Sequence, residues 1–294
     1  MPAVSITDFA TTAEGAAFYR AYDRVLEKWP ADITSTDLDS EYGTTRVNSC
    51  GPDGAPPVVL LPGGGATSTV WFRNVAALAT RHRVHAIDLI GDAGRSVADG
   101  TPIKSTSTLL SWLTTVVDGM GAESFGLIGH SYGAMIALAY ALRAPDRVEK
   151  LILLDPTSCF AGMHPRYLAR ALPILLRPSA KRQRSFIAWE TNGHAIDEHW
   201  LDLSAQGAAY FPATKTVVPP RPEPAHLRSM KPDTTVILAA DSKAHDSRRV
   251  AADIAKTHRQ IRVVTLDEAT HHTMPMTPAA ALDTELVRAL HPQR

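Results

Sequence analysis

Gly129-His130-Ser131-Tyr132-Gly133 sets a serine between two glycines, directly after an apolar run and before an alanine-rich stretch. Strand, tight turn and helix is the setting in which G-x-S-x-G lifts a serine hydroxyl above a sheet edge as a nucleophile. Glu123–Ile128 has the pattern of the strand, and Ala134, Met135, Leu138 and Leu142 fall on one helical face. Such a turn crowds strand against helix, so a Cβ at position 129 or 133 is expected to collide with the other arm. A serine hydroxyl becomes a good nucleophile only when a base takes its proton, so Ser131 requires a histidine. Ala269-Thr270-His271-His272-Thr273-Met274-Pro275 is a loop between the last strand pattern and the last helix pattern, where the base belongs in the chain order serine, acid, histidine. Neighbouring side chains of an extended loop diverge, so only one of the pair can face the serine. His271, the first after the strand, is the expected base, with His272 the alternative.

The imidazole in turn needs a carboxylate to orient it and to stabilise its protonated form. Asp241, which ends the apolar run Val236–Ala240, is the expected acid. Asp155, at the end of the strand that follows the elbow helix, and Asp246 are the alternatives; either also suits a turn or a helix cap. The oxyanion of an acyl-transfer intermediate requires backbone N–H donors. Tyr132, next to the nucleophile, supplies one. Leu61-Pro62-Gly63-Gly64-Gly65 supplies the other from a loop whose glycines permit close approach, with Gly64 the expected donor and Gly65 the alternative. Neither G-K-[S/T] nor G-x-G-x-x-G follows these glycines, which argues against a nucleotide site. The chemistry asks for no cofactor and no metal.

The elements that must hold these residues alternate. Ala13–Lys28 reads as an amphipathic helix closed by Trp29-Pro30, and Ile33–Leu38 with Thr44–Asn48 as a hairpin around Glu41-Tyr42-Gly43. A strand at Val58–Leu61, a helix over about 69–79, a strand at Val84–Ile87 and a helix at Thr106–Met120 lead to the elbow, and a strand at Val148–Leu154 follows it. This alternation predicts an α/β fold with a mostly parallel sheet and helices on both faces. It stops at Pro156. From there to about Lys231 the chain is rich in proline, aromatic and basic residues, and it reads as a helical cap inserted over the strand ends. The division expected is therefore a core of residues 1–155 and 232–294 with a cap of 156–231. Lys181-Arg182-Gln183-Arg184 within the cap reads as a solvated helix face rather than an anion site. Phe160, Met163, Phe186, Trp189, Trp200 and Phe211 are either cap core or pocket lining. A strand at Thr235–Ala240, a helix over about 247–257, a strand at Ile261–Leu266 and a helix at Pro278–Leu290 complete the chain.

Length and composition bound the rest. The chain has 294 residues, 45% of them hydrophobic and 20% charged, with 30 basic residues against 30 acidic. That balance argues against a nucleic-acid or membrane partner recruited by overall charge. Met1–Gly15 lacks the basic start and apolar core of a secretory leader, and no apolar run is long enough to span a bilayer. Cys50 and Cys159 form neither a metal spacing nor a disulfide framework, so a reduced, cytoplasmic setting is expected.

Taken together these residues resemble the α/β-hydrolase superfamily over nearly the whole chain, and within it small bacterial carboxylesterase-like serine hydrolases. Trp29-Pro30 matches the end of that group's N-terminal helix. The loop Leu61–Gly65 running into Trp71-Phe72 matches its oxyanion loop, and Asp88-Leu89-Ile90-Gly91-Asp92 its Asp-x-x-Gly-Asp segment. The resemblance implies the α/β-hydrolase fold, Ser131 as nucleophile, His271 as base, and Gly64 with Tyr132 as the oxyanion hole. It departs at Pro62, at Thr270 before the histidine, and at Ala239-Ala240-Asp241-Ser242-Lys243, where the position of the family's acid falls nearer Ser242 than Asp241. The expected activity is hydrolysis of a carboxylic ester or thioester of a small-molecule acyl substrate through an acyl-enzyme. Acyl transfer or acyl elimination on the same fold is the alternative, as is a non-catalytic binding protein, which would lack a carboxylate beside His271.

Overall fold

The computed structural model describes residues 6–30 and 32–291; residues 1–5, part of the stretch without a leader's pattern, lie outside the described residues. The chain opens with α1 (Ile6–Ala10) and α2 (Ala13–Leu26). The Thr12 hydroxyl accepts from Gly15 N at 2.9 Å and so satisfies one of the unpaired N–H groups at the start of α2. Phe18, Tyr22 and Val25 recur at helical spacing and are fully buried. The hairpin follows as β1 (Thr34–Ser40) and β2 (Gly43–Cys50), in register from Thr34 opposite Ser49 to Ser40 opposite Gly43. After β3 (Pro57–Leu61), where one helix was expected over 69–79, the chain forms a 3₁₀ turn at Ser68–Arg73 and then the short helix α3 (Val75–Ala79). The break falls at Asn74, which is fully buried and whose Nδ2 donates to Asp283 Oδ1 at 2.8 Å, a tertiary bond that local helical periodicity does not reveal.

Strict alternation then runs through β4 (Arg83–Ile87), α4 (Thr106–Gly119), β5 (Phe125–His130), α5 (Tyr132–Arg143) and β6 (Val148–Leu154). Four helices intervene before the sheet resumes: α6 (Pro165–Leu176), α7 (Ala180–Glu190), α8 (Glu198–Tyr210) and α9 (Pro224–Arg228). The chain ends with β7 (Asp233–Ala239), α10 (Ser247–Thr257), β8 (Ile261–Leu266) and α11 (Ala279–Leu290).

Among the described residues the strands form one eight-stranded sheet in the order β1-β2-β4-β3-β5-β6-β7-β8. Pairings among β3 to β8 are parallel, and those of β2 with β1 and with β4 are antiparallel. Strands covered on both faces carry apolar residues throughout, and here their side chains alternate between two cores. Val59, Leu61, Leu127 and Leu153 join Leu113 of α4 and Ile136 of α5. Val58, Leu60, Ile128 and Ile152 join Phe18 of α2 and Leu286 of α11. Phe186, Trp200 and Phe211, three of the aromatic residues between β6 and β7, are buried in that second cluster, while Phe160, Met163 and Trp189 are half-buried. The Arg24–Asp202 pair at 2.9 Å and the Lys28–Asp197 pair tie α8 to α2. Among the described residues no helix is long and apolar enough to cross a membrane.

The strand order has a direct consequence for chemistry. β5 lies between β3 and β6, so the turn that ends it has the glycine loop after β3 on one side and the end of β6 on the other.

Candidate active site

Ser131 follows the last residue of β5 and precedes the first residue of α5, with φ 52° and ψ −113°, a conformation L-residues rarely adopt. Both glycines are required. A Cβ at Gly129 would lie 2.4 Å from the Gly133 carbonyl oxygen, within the elbow, and one at Gly133 would lie 2.3 Å from the Leu61 carbonyl oxygen. The second clash differs from the one expected: it is with the end of β3, so Gly133 lets the glycine loop close against the elbow.

Ser131 Oγ lies 2.9 Å from His271 Nε2, and His271 Nδ1 lies 2.6 Å from Asp155 Oδ2. Of the two adjacent histidines, His271 is the one brought to the serine. His272 points elsewhere, its Nε2 3.1 Å from the Tyr167 hydroxyl, and burial pushes its pKa down to about 4.

The carboxylate beside His271 is Asp155, and the expectation of Asp241 is corrected here. Asp241 is exposed, on the bend after β7, and only its backbone is tied down, N–H to the Ala269 carbonyl at 3.0 Å. Asp246 caps α10, accepting from Arg249 N at 3.0 Å. The physical reason lies in the direction of the two strand ends: the Asp241 side chain turns out to solvent while its N–H is held by the Ala269 carbonyl, whereas Asp155 is fully buried. A left-handed turn at Asp155 (φ 39°) directs the carboxylate toward the histidine loop.

The loop after β7 serves that carboxylate instead. The Ser242 hydroxyl donates to Asp155 Oδ2 at 2.7 Å and Ala239 N donates to Oδ1 at 3.1 Å. His245 Nε2 sits 3.1 Å from Oδ1, at ion-pair distance but without hydrogen-bond alignment. Burial alone would raise the Asp155 carboxyl, but the imidazoles of His245 and His271 outweigh it and hold the group well below the usual carboxylate range. For His271 burial favours the neutral ring, and the neighbouring Asp155 and Glu190 carboxylates more than offset it, so its pKa is raised.

Two residues that the sequence reading did not single out hold the histidine loop. Glu190, at the end of α7, is fully buried. Its Oε1 accepts from His271 N at 3.0 Å, and its Oε2 from His272 N at 3.1 Å and the Thr270 hydroxyl at 2.9 Å. The signal available for it was a lone acid at the end of the apolar run Phe186-Ile187-Ala188-Trp189. His130, the last residue of β5, has Nε2 2.8 Å from the His271 carbonyl, and burial pushes its pKa down to about 3, so the ring is neutral and donates.

The expected oxyanion donors border the same point. A Cβ at Gly63 would lie 3.4 Å from Ser131 Cβ, and one at Gly64 would lie 3.6 Å from Tyr132 Cβ, so the glycine loop runs alongside the elbow. Gly65 N donates to Asp92 Oδ2 at 2.8 Å. Tyr132 N, at the first position of α5, has no acceptor in a preceding helical turn. The Tyr132 hydroxyl donates to the Val217 carbonyl at 2.6 Å, on the wall of a 770 Å³ cleft also lined by Ile90, Ile103 and Thr214. Neither Ser131 nor His271 lines that cleft. Among the described residues no group of three or more histidine, cysteine, aspartate or glutamate side chains could hold a metal ion.

Comparison with known proteins places this arrangement. Residues 58–284 match the profile of the alpha/beta hydrolase family. Carboxylesterase YbfK of Bacillus subtilis is 33% identical over 193 residues, 66% of this chain and 64% of that relative. An uncharacterized carboxylesterase, nap, of the same organism is 32% identical over 62% of this chain and 59% of its own length. The chain thus matches about three-fifths of the length of these relatives. Among solved structures, the naproxen esterase (carboxylesterase NP) of Bacillus subtilis superposes with a TM-score of 0.88 at 24% identity, over 95% of this chain and 99% of that one. Carboxylesterase CesB (YbfK) superposes with a TM-score of 0.85, also at 24% identity, over 95% and 99%. At that identity the superpositions speak for the fold. The sequence match over residues 58–284 identifies the chain itself as a member of the alpha/beta hydrolase family.

Proposed function

We propose that the chain is a serine hydrolase that cleaves a carboxylic ester or thioester, with Ser131 as nucleophile, His271 as base and Asp155 as acid. The observation that carries this reading is the continuous relay of 2.9 Å and 2.6 Å from Ser131 Oγ through His271 to Asp155. The carboxylesterase relatives support the substrate class.

In this reading His271 Nε2 takes the Ser131 proton as Oγ attacks the carbonyl carbon. The resulting oxyanion is held by the N–H groups of Gly64 and Tyr132. Collapse expels the alcohol or thiol, which leaves with the proton from His271. Water, deprotonated by the same imidazole, then releases the acid and restores Ser131. Asp155 stays ionised throughout and stabilises the imidazolium. The helices between β6 and β7, residues 156–231, act as the cap over the site. The rival reading, a non-catalytic binding protein, requires a His271 without a carboxylate partner, and the 2.6 Å contact with Asp155 weighs against it.

The test is chemical. A fluorophosphonate is expected to add once per chain, on the peptide holding Ser131, with p-nitrophenyl ester turnover falling in step. An adduct mapped to another residue, or full turnover after Ser131 is modified, would overturn the reading. A pH profile provides a second check. The base works only when neutral, so kcat/KM falls as pH drops through the pKa of His271 in the free enzyme. Because that pKa is raised, the midpoint of the acid limb is expected above the ordinary histidine value of 6.5. A midpoint below it would contradict the electrostatics described.

A further inference from the structure

Between Met163 and Trp189 the chain carries Arg166, Arg170, Arg177, Lys181, Arg182 and Arg184 and no acidic residue, although the whole sequence balances 30 basic residues against 30 acidic. The charge is segregated, so a balanced total charge is compatible with attraction of this segment to an anionic surface. The same segment exposes hydrophobic surface. Tyr167 is the one buried residue of α6, while Leu168, Leu172, Leu175 and Leu176 are 45%, 49%, 77% and 71% exposed. Their spacing of four, three and one places them along a single face of the helix. A run of exposed leucines on one face is unusual in a soluble protein and marks an interaction surface. Beside it, between α6 and α7, a 460 Å³ cleft is lined by Arg170, Lys181 and Arg182 together with Ser179, Phe186 and Trp189.

We propose that α6 and the start of α7 dock on an anionic lipid surface. The leucines enter the boundary between headgroups and acyl chains, and Arg170, Lys181 and Arg182 of the cleft take the headgroup phosphates, Arg184 being paired with Asp202 and Glu198. A helix with one leucine-rich face, carrying Arg166 and Arg170 and followed by Arg177, Lys181 and Arg182, combines the apolar and basic features of an in-plane interfacial helix. Charge decides between this occupant and a second copy of the chain. Two-fold pairing through the leucine face would bring two acid-free basic segments together, and like-charge juxtaposition opposes that. An anionic bilayer is the complement of both features at once. This inference goes beyond the esterase reading and does not depend on it.

The experiment is flotation of the purified 294-residue chain with vesicles of phosphatidylcholine alone and of phosphatidylcholine doped with phosphatidylglycerol. Binding is expected on the doped vesicles, weakening as salt is raised. Replacing Leu172, Leu175 and Leu176 by serine, all exposed, is expected to lower partitioning at least about tenfold with an unchanged melting temperature. Arg170→Gln, Lys181→Gln and Arg182→Gln are each expected to lower it roughly fivefold on anionic vesicles. Binding that survives the serine substitutions, or binding indifferent to phosphatidylglycerol, overturns the proposal. So does a concentration-dependent dimer that the serine substitutions disperse while no vesicle is bound.

Discussion

Asp155→Asn is expected to lower kcat for ester hydrolysis about 10⁴-fold, whereas Asp241→Asn stays within about twofold of the parent. The amide keeps the size of the carboxyl, and its oxygen in the Oδ1 place still accepts from Ala239 N, while its NH₂ takes the Oδ2 place, where the Ser242 hydroxyl can accept instead of donate. What changes is the partner offered to His271. A carboxylate 2.6 Å from Nδ1 accepts the Nδ1 proton and leaves Nε2 free to take the proton of Ser131. An amide that turns its NH₂ toward Nδ1 reverses the tautomer, so Nε2 carries a proton and cannot act as a base. The substitution also removes a charge that raises the His271 pKa against burial. The acid limb of kcat/KM is therefore expected to move down in Asp155→Asn, while the melting temperature serves as the control for folding. An unimpaired Asp155→Asn, or a large loss in Asp241→Asn, would return the acid to the end of β7.

The elbow and the acid differ in legibility for a physical reason. At Gly129–Gly133 the constraints are local: a strand, a strained turn and a helix must share five residues, and steric demands on both glycines register in the sequence itself. The sheet was legible for a similar cause, since alternating apolar segments with glycine and proline punctuation leave few other architectures. The carboxylate partner of His271 depends on where a backbone turns, and the positive φ at Asp155 leaves no mark in a linear pattern. Aspartates at the ends of β6 and β7 look alike in sequence, and only the direction in which each side chain leaves its strand end separates them. The same holds for Gly64 and Gly65, interchangeable as residues until Asp92, distant in sequence, engages Gly65 N at 2.8 Å. The break at Asn74 likewise rests on a bond to Asp283. Where a feature was set by one partner far along the chain, sequence patterning gave the residue type and not the pairing.

Glu190 is the strongest instance of that distance, and its removal is expected to have the second large effect. Its carboxylate closes α7 onto the histidine loop by accepting from Thr270 Oγ1, His271 N and His272 N. Glu190→Ala would leave the His271 and His272 N–H groups without that acceptor, the Thr270 hydroxyl still having Thr273 Oγ1 at 3.1 Å, in a site where Glu190, Thr270 and His271 are all buried. At about 1–3 kcal/mol for each unsatisfied group, the loss is on the order of 3 kcal/mol, and a melting temperature lower by about 5 °C follows for a chain of this size. That outcome alone would mark a structural brace. Glu190→Gln separates bracing from positioning, because it keeps one carbonyl acceptor and nearly the same volume while losing the charge. Since Glu190 is among the groups that raise the His271 pKa, the acid limb is expected to shift down in this variant. Displacing His271 by a fraction of an ångström is expected to cost up to about 10²-fold in kcat, with KM little changed because Glu190 binds the backbone of the histidine loop. A Glu190→Gln protein with parental kcat and an unmoved acid limb, but a lowered melting temperature, would reduce Glu190 to a brace. The residue sits at the end of a helix outside the sheet and yet holds the backbone of the base. On the proposed reading the seating of α7 is thereby coupled to the placement of the imidazole that faces Ser131, through the bonds of Glu190 to the histidine loop.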